Sequence, residues 1–464
     1  MWGKVLAGAA FSGVLMLTAC GGDSSSRKGA GSEGDETVAP SDKAYFVDNV
    51  VIGLRYRCGE AAGFKLTGDQ GVLFCTPGET VSFYVGDILL GSASMQAGTS
   101  FVTPLTLATE EGVVNQNVVI NLARLLISLD SDQNPDNGIQ IDPASHVNTG
   151  LSLDFTVATE SFTASAATVL TALTQSVVDG PFDLVSAGDA DSHLVFGLYL
   201  ANAGYYEGLI NRSGDSASEM AFMASRHGAV YGVNINADGM YTSVGFNMGY
   251  ELYNPYGDES NNFKIDADSF TGATLTLDAQ FGDGVVTGTG DAEYPNFSAN
   301  RQISFEPVYD QSLVDNFMAL MPVAIDLKGN QDYFVFDEDG FVGMEFGAWE
   351  GSAPNAGDIS RHSEYWFITF TDVVSAKDGV LKLLGMSING YLVELTANFN
   401  GQQPVITTEW RHIFEGIEGS TSTYQAYFED YFEEPFPEPE APAALSAEVK
   451  TVGEKSKASQ YWAE

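Results

Sequence analysis

The sequence predicts a mostly β protein: a small N-terminal β-sandwich, a short helical connector and a large antiparallel β-barrel or sandwich domain. Two lipocalin-like halves would serve for that last domain as well as one large one. Three observations lead there. The 464 residues include 50 glycines and 12% aromatic side chains, a composition suited to sheets and turns. Asn-Gly and Asp-Gly pairs recur between alternating runs, the strongest local hairpin signal. Helical periodicity is confined to three segments between residues 111 and 202. Hydrophobic residues at 44% are ample for packed cores, and the length suggests two or three domains.

Residues 1–19 read as a signal peptide. Lys4 precedes an apolar stretch from Val5 to Leu17, shorter than the about 20 residues a membrane-spanning helix needs and of signal-peptide size. The stretch ends in Leu17-Thr18-Ala19-Cys20, and the polar run Gly21-Gly22-Asp23-Ser24-Ser25-Ser26 follows. This resembles the lipobox of exported bacterial lipoproteins. The resemblance implies cleavage before Cys20, diacylglycerol on its thiol and a further fatty acid such as palmitate on its amine. Gly21 stands where many inner-membrane lipoproteins carry aspartate, so the implied destination is the cell outer membrane. Residues 20–44 are then the acylated cysteine and a flexible Gly/Ser-rich tether.

Residues 45–110 read as a small β-sandwich module. Strands are expected at Val47–Tyr56, Phe64–Leu66, Gly71–Cys75, Thr80–Val85 and Ile88–Leu90, separated by Gly-rich turns. The stretch GLRYRC…GVLFCTPGETVSFYVGDILLG, continued by NLARLLISLDSDQNPDNGIQI, resembles a recurring N-terminal module of proteobacterial lipoproteins and adhesin-like proteins. That module looks like a small transthyretin- or carboxypeptidase-regulatory-like sandwich; the resemblance covers residues 47–142 and implies no activity. With Cys20 acylated, Cys58 and Cys75 remain as a pair, 17 positions apart. A hairpin would bring them together, and an oxidising compartment permits the disulfide. Two buried reduced cysteines are the other reading.

Residues 111–202 form the helical connector. Over 115–129, Val118, Leu122, Leu125, Leu126 and Leu129 fall on one helical face. A second helix is expected over 164–178, closed by Asp179-Gly180, and a third over 186–200 with Ser186 as N-cap. These helices are expected to pack between the two β-rich parts.

Residues 203–414 alternate as roughly 15 strands, which favours a barrel or sandwich. Hairpins are expected at Asn236–Gly239, Asp337–Gly340, Asn389-Gly390 and Asn400-Gly401, with a break near 309–320 dividing two halves. Tyr205, Tyr206, Tyr231, Trp349 and Trp410 are among the aromatics that would either pack a core or line a ligand pocket. From 415 to 464 the alternation stops. Nine acids and no Lys or Arg occupy Glu415–Glu448, with four prolines between 435 and 442, and the segment reads as an extended acidic tail.

Sixty-two acidic against 20 basic residues give a net charge of −42. A nucleic-acid partner is excluded by this balance, since such binding needs a basic stripe to release counterions. The sharpest polar cluster is Asp130, Asp132, Asn134 and Asp136, with oxygen ligands at alternate positions as in loops that wrap Ca²⁺. It departs from an EF-hand at Pro135 and Ile141, and an Asx-rich turn ending the preceding helix is the competing reading. The cluster follows a helix C-terminus, where the macrodipole favours a cation. His146, His193, His227, His362 and His412 lack metal-motif spacing, and His193 is expected simply to pack. No nucleophile elbow, phosphate loop or zinc signature is present. The function expected is that of a non-catalytic envelope lipoprotein, held at the membrane by its N-terminal lipid and binding an envelope protein or glycan through its β domain. An exported carboxylate-dependent polysaccharide hydrolase and a purely structural envelope component are the competing expectations.

Overall fold

The computed structural model describes residues 43–427, apart from 61–62, 96–100, 111–112, 212–216, 227, 229, 238–239, 245–261, 269–273, 283, 290–294, 320–323, 326–331, 337–343, 349–368, 388–389, 415–417 and 423–425. The expected signal peptide, the tether up to 42 and the tail beyond 427 lie outside the described residues, as do Trp349 and the side chains of Tyr231 and Trp410.

The N-terminal part carries β1 (Lys43–Phe46), β2 (Val51–Ile52), β3 (Arg55–Cys58), β4 (Lys65–Leu66), β5 (Val72–Phe74), β6 (Thr80–Val85), β7 (Ile88–Ser94) and β8 (Phe101–Val102). There follow α1 (Pro104–Ala108), β9 (Thr109–Glu110), β10 (Val113–Val114), α2 (Gln116–Ser128), β11 (Ile139–Gln140), α3 (Thr159–Thr174) and α4 (Ala187–Asn202). Strands β4-β3-β6-β7 make an antiparallel sheet, and β5-β1-β8 a second one in which β1 and β8 run parallel. Strand β2 pairs in parallel with β11, on the far side of α2 in sequence.

The single strand expected over Val47–Tyr56 is broken twice. Asn49 at φ 55° turns the chain after β1, and Gly53 at φ 78° turns it again before β3. A Cβ at Gly53 would sit 2.6 Å from the Ile141 carbonyl oxygen, so the backbones approach there as only glycine allows.

The helices do not act as a connector. Leu122, Leu125 and Leu126 of α2, Phe162 and Leu170 of α3, and Leu194 and Leu198 of α4 share one core with Phe46, Leu73 and Phe83 of the strands. The boundary expected at 110 therefore separates no cores. Two small sheets offer little apolar area alone, and the apolar face of α2 completes their burial. Helix α3 spans Thr159–Thr174, displaced toward its N-terminus from 164–178, whereas Ser186 caps α4 as expected, its Oγ accepting from Asp189 N at 3.1 Å. No described helix is long and apolar enough to cross a membrane.

Cys58 at the end of β3 and Cys75 just after β5 form a disulfide, with Cα atoms 5.6 Å apart. It staples the four-stranded sheet to the three-stranded one. Closing a loop of this length removes denatured-state freedom worth about 3 kcal/mol.

The remainder is almost wholly antiparallel β, as expected. Strands β12 (Gly204–Asn211), β13 (Ser218–Ala224), β14 (Val230–Ala237), β15 (Met240–Val244), β16 (Asn262–Asp268), β17 (Thr274–Gly282), β18 (Val285–Thr289) and β19 (Asn296–Ser304) form one eight-stranded sheet. Its order is β15-β14-β13-β12-β19-β18-β17-β16. The chain thus meanders outward from β12 to one edge, crosses to the other and meanders back to pair β19 with β12. Among the described residues no ladder joins the edge strands β15 and β16, so the sheet is open and the closed form of the expected barrel is not formed.

The break expected near 309–320 is the helix α5 (Gln311–Met318), started by Asp310, whose Oδ1 accepts from Ser312 N at 3.0 Å. Beyond it come β20 (Ala324–Ile325), β21 (Asp332–Phe336), β22 (Met344–Ala348), β23 (Thr369–Lys377), β24 (Val380–Ser387), β25 (Tyr391–Asn398), β26 (Val405–His412), β27 (Glu418–Ser422) and β28 (Ala426–Tyr427). Strands β23 to β27 form a five-stranded meander, β21 pairs with β22, and β20 with β28. The strands before and after α5 thus belong to different sheets, although Tyr205 and Met223 of the first share a core with Leu384 and Leu392 of the second. All four expected hairpins join strands that pair, including β25–β26 across Asn400-Gly401. The expected tail boundary at 415 is too early: Glu418–Ser422 continues the sheet on β26, where the Gly-Ser-Thr run adds a polar edge strand.

Candidate functional site

The candidate site is built where α2 ends. Asn115 starts this helix by accepting from Val118 N, and its apolar face is buried to Leu129. The chain then leaves the core through Asp130, which bridges to Ile141 and closes the loop 130–141 on itself. Asp130 is fully buried, and its Oδ1 accepts from Gln140 N at 2.9 Å. Its carbonyl receives both the backbone and side-chain N–H of Gln133. Asp132 is exposed; its Oδ1 accepts from Asn134 N and its Oδ2 from Asn137 Nδ2, each at 3.0 Å. These are Asx-turn contacts, so the turn reading of the cluster describes the loop's own bonding.

Two of the three aspartates come together. The Asp130 and Asp132 carboxyls lie within hydrogen-bonding reach, and burial, reinforced by Asp132, pushes the Asp130 carboxyl up to about 6. The Asn137 amide and Asn134 N–H hold Asp132 below the usual carboxylate range. Asp130 Oδ2 is buried and receives no hydrogen bond. Asn134 joins through its backbone alone among the bonds seen, and Asp136 is not part of the cluster: no group of three or more His, Cys, Asp or Glu side chains gathers among the described residues.

Beneath this loop lies a buried pair that sequence reasoning missed. Asp48 follows β1 and is fully buried, and His193 on α4 places Nδ1 3.4 Å from Asp48 Oδ1. On its other side His193 Nε2 is 3.1 Å from the Pro135 carbonyl oxygen. The ring thus lies between the Asp48 carboxyl and the Pro135 carbonyl, and its protonated form would face an acceptor on each side. Burial opposes that charge, but Asp48, the Pro135 carbonyl and the nearby Asp136 outweigh it and raise the pKa of His193. Burial likewise raises Asp48, which draws back only part of the cost from His193. Neither Asp48 oxygen receives a hydrogen bond of normal geometry from the described residues.

The neighbouring Asn49 fastens the loop from below, its Nδ2 donating to the carbonyls of Pro135 at 2.8 Å and Asp136 at 3.1 Å. Helix α4 comes this close because of Gly197, where a Cβ would lie 2.7 Å from Asn49 N and 3.0 Å from Asp48 Cα. The visible signal was Asp48-Asn49 inside the apolar run Tyr45–Ile52. His146 shows the opposite state: its Nδ1 accepts from Gly86 N, its Nε2 donates to Gly53 O at 2.8 Å, and burial lowers its pKa. The two buried histidines are thus shifted in opposite directions.

Of the aromatics that could line a pocket, Tyr205 and Tyr206 are core residues. Tyr206 stacks on Phe222 with centroids 5.0 Å apart and donates to Asn202 O, while Tyr205 donates to Glu207. No family model matches this chain, and no curated protein or solved structure is significantly similar to it.

Proposed function

We propose that this protein is a lipid-anchored lipoprotein of the bacterial cell envelope, placed at the outer membrane, which acts without catalysis by binding a ligand or protein partner through its β domain. The Cys58–Cys75 disulfide is the observation that carries the reading. It belongs to an oxidising, extracytoplasmic compartment, and it accounts for two of the three cysteines. The one left over is Cys20, at the end of Leu17-Thr18-Ala19-Cys20. More than one acyl chain there would anchor the protein stably, since each buried CH₂ adds about 0.8 kcal/mol. Cys20→Ala is expected to shift the protein from the membrane pellet to the soluble periplasmic or extracellular fraction. Unchanged fractionation would reject the anchor.

A second reading concerns Ca²⁺ at the loop after α2, favoured by the buried Asp130 Oδ2, which receives no hydrogen bond, beside the exposed Asp132 carboxyl. A divalent cation held there by Asp130, Asp132 and loop oxygens would offset the repulsion between the two carboxylates. Thermal melts in 1 mM CaCl₂ and in EDTA test this. A ligand at about 100-fold its Kd stabilises by about 2.7 kcal/mol, so the midpoint is expected several degrees higher with Ca²⁺, and Asp130→Asn is expected to erase the difference. Identical midpoints for the unsubstituted protein would leave the loop as an Asx turn alone.

A further inference from the structure

The outer face of the sheet β4-β3-β6-β7 combines apolar side chains with outward arginines. Strand alternation sends Tyr56, Cys58, Val81 and Phe83 into the core and turns Arg55 and Arg57 of β3 outward. Register lines up Leu66, Arg55, Tyr84 and Leu89 across the sheet, with Arg57, Ser82 and Ser92 in the next row. Phe64 packs edge-on to Tyr84 with centroids 5.1 Å apart. The guanidiniums of Arg55 and Arg57 lie 5.6 and 6.0 Å from the Phe64 centroid. Phe64, Leu66 and Leu89 are each about half exposed, at 49%, 47% and 50%. Elsewhere among the described residues, exposed large apolar side chains come singly along the chain, as at Val113, Leu151 and Val285.

Charge is spread as unevenly as apolar surface. Residues 43–108 hold four bases (Lys43, Arg55, Arg57 and Lys65) against five acids (Asp48, Glu60, Asp69, Glu79 and Asp87), a net −1 out of the chain's −42. Of these acids Asp48 is buried, Asp87 accepts from the Thr149 and Gly150 N–H groups, and Glu79 accepts from Thr76 N. Lys43, Arg226, Lys377 and Arg411 each sit on a carboxylate. Arg55 and Arg57 have none within ion-pairing distance among the described residues; Arg57 Nη2 donates instead to Tyr84 Oη. Cations with apolar stems beside half-exposed rings are the side chains that settle at a lipid–water interface.

We propose that this face rests on the anionic surface of the lipid bilayer, with Arg55 and Arg57 on lipid phosphates and Phe64, Leu66 and Leu89 in the headgroup layer. The inference rests on the acylation of Cys20 proposed above. Two observations single out lipid as the occupant. The chain enters the fold beside this sheet: Lys43, where β1 begins, pairs with Phe74, and the Phe74 carbonyl accepts from Lys65 Nζ of the edge strand β4. The 23 residues from Cys20 to Asp42, as a Gly/Ser-rich chain, have a root-mean-square span of about 26 Å. An anchor that short holds the N-terminal sheets near the bilayer and raises their effective concentration at its surface. The second observation is the placement of charge. Nearly all of the −42 lies outside residues 43–108. A negative surface repels those acids and attracts arginines within a Debye length of about 8 Å, so one field turns the acidic parts away and this face inward.

Photo-cross-linking of the full acylated chain on vesicles tests it. The benzophenone of p-benzoylphenylalanine, replacing Leu66 or Leu89, inserts into lipid C–H bonds on irradiation. The same group in place of Leu209, 53% exposed on the eight-stranded sheet, is the control. On phosphatidylcholine vesicles with about one-third phosphatidylglycerol, lipid adducts from positions 66 and 89 are expected to exceed those from 209 roughly tenfold by mass spectrometry. Arg55→Ser/Arg57→Ser is expected to bring them down toward the control. Pure phosphatidylcholine vesicles, where the acyl chains still hold an unaltered protein, should lower them as much. The acyl mass on Cys20 and sedimentation with the vesicles are read in the same samples. A chain that carries no acyl group, or does not sediment, overturns the anchor and this inference with it. A chain that is acylated and sediments, yet labels lipid equally from 66, 89 and 209, overturns the lipid-facing sheet alone. So does labelling indifferent to both the arginines and the anionic lipid.

Discussion

His193→Ala is expected to destabilise the N-terminal unit by about 3–5 kcal/mol, the cost of leaving a buried charge without its partner. The loss has two parts. Asp48 is fully buried with the His193 ring against it, and the same ring donates to the Pro135 carbonyl that holds the loop over α4. The pH dependence gives the sign. His193 has a folded pKa above its unfolded value near 6.5, so its stabilisation is complete below that value and fades as pH rises through the raised folded pKa. Asp48 is also raised, which again favours the folded state at the more acid end. Urea unfolding at pH 6 and pH 9 should therefore show a larger gap between wild type and His193→Ala at pH 6. Adding Asp48→Asn to His193→Ala should recover part of the loss, because the stranded carboxylate is then gone. An equal gap at both pH values, with no recovery in the double variant, would mean that His193 contributes packing alone.

What the sequence disclosed followed from short-range chemistry. Helix α2 was legible because five apolar residues repeat at helical spacing, and the hairpins because Asn-Gly and Asp-Gly leave few other conformations open. The Asp130–Asp132 contact was legible too, since alternate positions of one short loop converge whatever the rest of the chain does. Asp136 failed the same rule because the helical turn at Pro135–Asn137 carries it away from the other two. The other half of the site was hidden. Asp48 and His193 lie 145 positions apart, and nothing local to either marks the other. That three helices share a core with the first strands was hidden for the same reason: a helix's apolar face states that it is covered, not by what. Barrel closure is likewise a relation between edge strands, and alternation alone does not specify which edges meet.

Arg226→Ala is the second large effect expected, and it concerns how the two β halves are joined. Arg226 follows β13 in the eight-stranded sheet, and both it and Asp372 of β23 are only 3% exposed. The backbone N–H of Arg226 donates to Asp372 Oδ2, its Nη1 lies 3.6 Å from Asp372 Oδ1, and the guanidinium donates to the carbonyls of Val373 and Glu306. Phe305 and Tyr309, at 5.6 and 4.9 Å, give the cation aromatic walls. Removing this one side chain leaves the buried Asp372 carboxylate with backbone N–H donors but no countercharge and takes the guanidinium from two carbonyls on separate segments, for an expected loss of about 3–5 kcal/mol. Arg226→Lys should fare little better, since one ammonium cannot reach three acceptors that a planar fork spans. The neighbouring bridge from Arg411 to Glu207 joins the same two sheets, but with side chains 38% and 33% exposed. Solvent screening keeps such a pair to about 1 kcal/mol or less, so Arg411→Ala is the matched control. Amide hydrogen exchange locates the damage: Arg226→Ala should lose protection in β23 and in the 305–310 segment while α2 and β6 keep theirs. If Arg226→Ala and Arg411→Ala cost the same, or if protection falls evenly over the chain, the two halves are held by their shared apolar contacts, Tyr205, Met223, Phe305 and Leu384 among them, and not by the arginine.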